Sequence, residues 1–316
     1  IKNFIMNVGI FLNYIGLGSN LLHLSYCHEI AKKYGPVTII TLCKNLDQAL
    51  EDDPNIKSVV LIDKNNKITD IPNISKKLKE LLLKKIFIFY PSPRLFFAAK
   101  LSGIKEIYIY PLFKKKGLHL VNTAKKFTCE SLKTNFCPTE TKFVVSNEKI
   151  NNAKKYFNKD YYNIIIGAGS SGPDTRWGEK NFISLINKLN ENGKYFFYIQ
   201  CGPEQNQISK NIISNVNKKN CMDLSNMNIK QMIPILYLCD MYVGNDSFSH
   251  HVTSQCNKPS IVLLLNSPKA YSDYSTNHHR IIPDNAKIEH IDHTSRYDAN
   301  LISVEKVFNK IINLKN

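Results

Sequence analysis

The sequence predicts an α/β protein built from two doubly wound parallel sheets, and three observations carry that expectation. Short apolar runs alternate with amphipathic stretches along the chain, as in strands whose crossover helices cover both faces of a parallel sheet. The alternation runs through two series, separated by a polar stretch at 134–158 that contains Pro138. The length of 316 residues suits two domains of about 150 residues each.

In the first series the apolar runs predict strands at 8–12, 37–42, 59–62, 86–90 and 106–109, with helices at 20–34 and 74–84. The first helix carries Leu21, Leu24, Ser25 and His28 at i, i+3, i+4 and i+7, so its inner face is mixed. The second series predicts strands at 162–166, 195–200, 241–243 and 261–265, separated by helices at 180–192, 204–215 and 229–238. The tail at 301–314 has apolar residues at 301, 304, 307, 308, 311 and 312. That is one helical stripe, and it is expected to close the chain by packing back on the first domain. The polar stretch sets the domains at 1–150 and 151–316. Two such domains facing each other place a ligand cleft between the carboxyl ends of their sheets.

Hydrophobic residues make up 43% of the chain, enough for sizeable cores and against global disorder. Residues 5–12 are apolar but include Asn7; the run is too short to span a bilayer and has no small-residue cleavage site. The expected location is the cytoplasm. Eight cysteines, at 27, 43, 129, 137, 201, 221, 239 and 256, include no pair at CxxC spacing, so buried reduced thiols are expected.

The chain carries 42 Lys+Arg against 26 Asp+Glu. Such a balance suits nucleic acid, anionic membrane or phosphorylated substrates. Aromatic residues do not interleave with the basic cluster and no nucleic-acid-binding module is recognisable, so nucleic acid is not an expected partner. The one dense cluster is "YPLFKKKGLHLVNTAKK", 110–126. It reads either as a solvated loop and helix face or, through Lys114–Lys126, as a peripheral contact with an anionic membrane.

Three corners at expected strand ends carry chemistry. In "NYIGLGSNLLHL", 13–24, Gly16 and Gly18 permit a tight turn whose amides can cradle an anion, although Leu21 spoils a GxGxxG match. In "NIIIGAGSSGPDTRWGEKNF", 163–182, an apolar strand runs into Gly167, Gly169, Ser170, Ser171 and Gly172. The glycines admit a ligand to the backbone, the serines offer hydroxyls, and Arg176 offers a forked cation suited to phosphate. Trp177 reads as packing, and a plain glycine-rich connection is the alternative for the loop. In "MYVGNDSFSHHVTSQC", 241–256, a strand ending at Val243 leaves Asp246 or Ser247 to cap the next helix. His250 and His251 are adjacent and so point about 100° apart on a helix; one is expected to face the ligand and the other to pack. The i, i+4 spacing of a helical metal pair is absent, and no metal is expected.

Together "LGSNLLHL", "IIIGAGSSGPDTRWGEKNF", "YIQCGPEQ" and "MYVGNDSFSHHVTSQCNKPSIVLLL" resemble the lipopolysaccharide heptosyltransferases, glycosyltransferase family 9, in order and spacing over almost the whole chain. The resemblance implies two Rossmann-like domains in the GT-B arrangement around a central cleft, the first for the acceptor and the second for a nucleotide-sugar donor. It implies inverting transfer by single displacement, with no metal or other cofactor. The donor candidates include ADP-linked sugars. The acceptor would be a lipopolysaccharide or another cell-envelope glycan at the inner face of the membrane. Gly169, Ser170, Ser171 and Arg176 fall at the phosphate loop, Glu204 at the ribose contact and Met227 against the nucleobase. Asp246, Ser247 and His251 match the Asp-[Ser/Thr]-Gly corner and its downstream histidine. Where the family carries its proposed catalytic Asp, this chain has Ser19, followed by Asn20. Serine is a poor base, so His23, one helical turn on, is the candidate replacement. The family's Lys is Thr175 here, and the Gly of its corner is Phe248. A non-catalytic nucleotide-sugar binder that has lost the base is the alternative.

Overall fold

A computed structural model describes residues 6–63, 67–111, 119–170 and 172–315. The chain forms two compact units, Ile1–Val144 and Val145–Asn316. The first runs β1 (Val8–Leu12), α1 (Leu17–Leu21), α2 (Leu24–Tyr34), β2 (Val37–Thr41), α3 (Leu46–Leu50), β3 (Ile56–Leu61), α4 (Ile71–Glu80), β4 (Lys85–Ile88), α5 (Pro93–Leu101), β5 (Glu106–Ile109) and α6 (Leu120–Leu132). The second runs α7 (Asn147–Ala153), β6 (Tyr162–Gly167), α8 (Glu179–Glu191), β7 (Tyr195–Gln200), α9 (Asn206–Ser214), β8 (Cys221–Asp223), α10 (Ile229–Leu238), β9 (Met241–Asn245), α11 (Phe248–Gln255), β10 (Ser260–Leu263), β11 (His278–Ile281) and α12 (Val304–Lys315).

The first sheet is ordered β3-β2-β1-β4-β5 and the second β11-β10-β9-β6-β7-β8. Every strand pairing in both is parallel. Helices on both faces account for the unbroken apolar runs, since β1, β2 and β4 are buried along their whole length. In each sheet the chain winds outward in one direction and then returns to wind in the other. The reversals fall between β1 and β4 and between β6 and β9, where the carboxyl ends of neighbouring strands open a crevice.

Several boundaries depart from the periodicity for clear reasons. β3 is an edge strand with Lys57 and Ser58 exposed, so it starts at Ile56, ahead of its apolar run. β8 and β11 were not anticipated. They are edge strands of sequence CMD and HHRI, without the apolar run that marks a central strand. The helix expected at 20–34 is broken at Leu22–His23 into α1 and α2. β9 continues through Gly244 and Asn245, two residues past its last large apolar side chain.

The second core gathers Ile164, Ile166, Phe182, Leu185, Phe197 and Val243 with Trp177, which is fully buried and donates its indole N–H to the Ile302 carbonyl at 2.8 Å. Val307 and Ile311 of α12 lie in this same core, and α12 packs on α8. The apolar stripe that suggested packing on the first unit is thus used within the second. Five of the cysteines (27, 43, 137, 201 and 239) are buried and the rest half-buried, all as free thiols. No helix among the described residues is long and apolar enough to cross a membrane.

Candidate functional site

At the β6–β9 reversal Gly167 pairs with Gly244. A Cβ on Gly244 would overlap the backbone of Gly167, and one on Gly167 would overlap the Tyr242 hydroxyl. A Cβ on Gly169 would stand 2.8 Å from the Cys201 Cα. The glycines are therefore demanded by close strand approach at the end of the sheet, as well as by any ligand. Asn245, fully buried, ties the two corners together: its Nδ2 donates to the Ala168 carbonyl at 2.8 Å, and its Oδ1 accepts from the Trp177 amide at 2.8 Å. Residues 167–170, 172–177 and 244–251 thus share one end of one sheet.

Gln205 closes the loop after β6 from the next strand. Its Nε2 donates to the Ser170 carbonyl at 2.7 Å, and its Oε1 accepts from the Ser170 amide at 3.2 Å. The Ser170 hydroxyl is spent inside the loop, on Gly172 O at 2.9 Å and on Thr175 Oγ1. Ser171 lies outside the described residues. Arg176 is half-buried; one terminal nitrogen lies 3.5 Å from Ser170 O, while its buried Nε has no partner among the described residues. A buried cationic N–H calls for an acceptor, and an anion entering this corner would supply a charge-assisted one. Glu204 is exposed on the turn after β7. Met227 is half-buried on the turn between β8 and α10, where Asn228 and Gln231 form a capping box. Strand order thus lines up Asp246, Gly169–Ser170, Glu204 and Met227 on the successive carboxyl ends of β9, β6, β7 and β8.

Ser247 occupies the N-cap position of α11, but its side chain caps nothing. Its hydroxyl lies 3.1 Å from the Tyr242 hydroxyl and 3.5 Å from Gln200 Oε1. The expectation of a serine or aspartate cap is corrected. Because β9 runs on to Asn245, Asp246 leaves the strand turned toward α11, where its Oδ1 accepts from His250 Nε2 at 2.6 Å. His251 Nε2 stands 4.0 Å from the same oxygen. The adjacent imidazoles do not diverge as an ideal helix would have them: their centroids are 3.9 Å apart, with planes 32° from parallel. Both rings are buried, which pushes the His250 pKa down to about 3 and holds that of His251 well below its ordinary value. Both rings are closed off from solvent in this structure. The three donor atoms of Asp246, His250 and His251 lie within 4.8 Å of one another, a grouping compatible with a metal ion.

The corner after β1 differs from the expectation. The Asn20 side chain, 2% exposed, donates to Tyr14 O at 3.1 Å and Gly16 O at 2.7 Å and accepts from Thr41 Oγ1 at 2.7 Å. It is a clasp that closes the loop on itself. His23 donates through Nδ1 to Ser19 O at 2.7 Å. The rest of its ring lies against Tyr14 at 4.9 Å and Phe89 at 5.5 Å, fully buried. Burial pushes its pKa down to about 4. A ring with no exposed atom cannot meet a substrate hydroxyl, so His23 is not placed as a base in this structure. Ser19 is half-buried on α1.

Comparison with known proteins adds the decisive observation: the model of glycosyltransferase family 9 (heptosyltransferase) matches residues 105–298. The chain belongs to this family. Lipopolysaccharide heptosyltransferase 1 of Campylobacter coli is 24% identical over 158 residues, 48% of this chain and 46% of that protein. The alignment therefore spans about half the length of the curated relative. Among solved structures, the E. coli ADP-heptose lipopolysaccharide heptosyltransferase II superposes with TM-score 0.74 at 15% identity, covering 98% of each chain. A family 9 glycosyl transferase from Veillonella parvula gives 0.78 at 15%, covering 99% of this chain and 98% of that one. An E. coli heptosyltransferase determined with ADP-2-deoxy-2-fluoro heptose gives 0.71 at 14%, covering 98% and 99%. At these identities the likeness is one of fold, two Rossmann-like units of the GT-B class. In this family 9 member, Asn245, Gln205 and His278 went unmarked in the sequence, and the bond from His250 to Asp246 was not anticipated. The one available signal was Asn245, a polar residue at the buried end of a strand, which must be paired.

Proposed function

We propose that this chain transfers a sugar, an ADP-linked heptose, to a lipopolysaccharide or related cell-envelope acceptor by single displacement with inversion. Family membership supports glycosyl transfer, and the half-buried Arg176 with its unpaired Nε carries the placement of the donor. In the transition state, negative charge builds on the departing diphosphate. Preorganised donors stabilise it there without reorganising. Here those donors are Arg176 and the N-terminal amides of α11 that Ser247 leaves uncapped, while Gly169 and Ser170 form the loop beside them, their own amides held by Gln200 O and Gln205 Oε1. Ser171 belongs to this group by position. Glu204 accepts from ribose hydroxyls and Met227 lies against the base. Asp246 accepts from a ligand hydroxyl, since a carboxylate repels phosphate oxygens. His251 backs Asp246 from the second side. No metal or other cofactor is required in this scheme. The first unit takes the acceptor, and the protein works in the cytoplasm. Lys114–Lys126, of which 114–118 lie outside the described residues, meets the anionic inner face of the membrane; nucleic acid is not a partner.

A second reading, a nucleotide-sugar binder without turnover, is favoured by the corner after β1. Ser19 stands where the family carries a carboxylate, and both Asn20 and His23 are internal. Thermal shift with ADP, UDP, GDP and CMP tests the shared part, because a ligand of the folded state raises the midpoint with the logarithm of its concentration over Kd. ADP is expected to shift it; no shift with any of the four would sink the donor site. ADP release from ADP-heptose with a lipopolysaccharide acceptor then separates the two readings. If binding is intact and release is absent, Ser19→Asp is expected to bring release up by about 100-fold, the lower range for a positioned base.

A further inference from the structure

We propose that His250 is a positioning residue for Asp246, with its tautomer set by His278. The inference rests on the donor-site reading and goes past it, to what orients the carboxylate and which ligand atom that carboxylate meets.

The proton inventory leaves one arrangement. An ionised carboxylate only accepts, so the 2.6 Å contact places a hydrogen on His250 Nε2. The ring is fully buried and neutral, so its Nδ1 must accept. The group facing it is His278 Nε2, at 3.1 Å, which therefore carries the hydrogen. This leaves His278 Nδ1 bare, and it is buried without a partner among the described residues. The sheet delivers His278 as the first residue of β11, beyond β10, while His250 comes from the helix after β9. His251 stacks on His250, and its Nδ1 is held by the Tyr274 hydroxyl at 2.7 Å. Groups from α11, β11 and the segment before β11 thus fix one ring, and that ring fixes one carboxylate oxygen.

The other end of this chain reaches the surface. The Asp246 side chain is 15% exposed, with Oδ1 taken by His250 and Oδ2 making no hydrogen bond among the described residues. A carboxylate held this way offers one oxygen of set direction to a ligand hydroxyl. Within a nucleotide sugar that hydroxyl belongs either to the transferred sugar or to the ribose, and the two sources separate by experiment. A cation shared by Asp246, His250 and His251 would compete for the same atoms, and a Zn2+ titration separates that arrangement from the direct His250–Asp246 hydrogen bond.

The test measures binding of ADP-heptose and of ADP to wild type, His250→Leu, His250→Gln, Asp246→Asn and the Asp246→Asn/His250→Leu double variant. His250→Leu is expected to lose about tenfold in affinity, the usual worth of a hydrogen bond to a charged group. His250→Gln, whose amide N–H replaces Nε2–H, should restore most of it, and the double variant should bind no worse than Asp246→Asn alone. Loss confined to ADP-heptose assigns the hydroxyl to the sugar; equal loss with ADP assigns it to the ribose. Full affinity in His250→Leu, or a loss that adds entirely to that of Asp246→Asn, overturns the proposal. Long-range proton–nitrogen NMR of the wild type decides the point without any nucleotide. Hydrogens on Nε2 of both His250 and His278 support the proposal, and a hydrogen on His250 Nδ1 defeats it. So would a Zn2+ titration that moves the Nε2 resonances of both His250 and His251. Failure of the wild type to bind either nucleotide sinks the donor reading, and the spectrum still judges this one.

Discussion

The corners after β1 and after β9 start from the same local plan and end in different chemistry. Each follows a buried strand at or beside a sheet reversal, and each buries a histidine that bonds back four residues, His23 to Ser19 and His250 to Asp246. His23 spends its proton on a backbone carbonyl, and its other nitrogen is buried with no partner among the described residues. His250 spends its proton on a carboxylate that reaches the surface. The first becomes a wall and the second a support. What separates them is the acceptor four residues back, together with whatever packs against the second nitrogen.

The largest expected effect concerns the corner after β9 alone. Gly244→Ala should cost about 3 kcal/mol or more, since its methyl meets the backbone of Gly167 and no side chain can give way. Calorimetry should show the second unit melting earlier with the first unchanged; a single unaltered transition would contradict the close approach. Acid acts on both corners. The folded pKa values, about 4 for His23 and about 3 for His250, lie below the value near 6.5 of an unfolded histidine. Between these limits the unfolded chain binds more protons, so stability rises with pH. It is complete above pH 6.5 and falls as pH drops through the window, by on the order of 3 kcal/mol per histidine. Urea midpoints from pH 4.5 to 7 measure this, and His23→Leu should flatten the slope for the first unit only.

Smaller effects sharpen the division of labour. Arg176→Ala should weaken ADP binding by about 30-fold, near 2 kcal/mol for a charge-assisted contact, with little change in melting. Arg176→Lys should recover only part, because a point charge lacks the guanidinium fork. Asn20→Ala should do the reverse, lowering stability by about 1–2 kcal/mol and leaving ADP affinity intact. Equal loss of ADP affinity in Asn20→Ala and Arg176→Ala would erase the distinction between a clasp and a ligand contact.

Much of this organisation was legible in the residues. The strands at 8–12, 106–109 and 195–200 stand where their apolar runs placed them, and α10 spans the 229–238 read from its periodicity. Gly167, Gly169 and Gly244 marked the corners, though partly for a different reason, since all three are needed where neighbouring segments approach closely at the end of the sheet. The edge strands β8 and β11 escaped because an edge position does not demand an apolar run. His23 escaped as well. Helical spacing put it one turn from Ser19, but nothing local shows that Tyr14 and Phe89 close over it.

The sequence by itself determined the alternation of elements, the division into two units and the corners at which small and polar residues gather. Those features follow from burial periodicity and backbone freedom, which act over a few neighbouring residues. Only the tertiary structure decided what each polar group does there. The partners that settle it arrive from afar: Thr41 for Asn20, Ala168 for Asn245, His278 for His250. Whether an imidazole is a base, a wall or a support depends on which atom meets each nitrogen and on whether water can reach it, and neither is written in the spacing of residues along the chain.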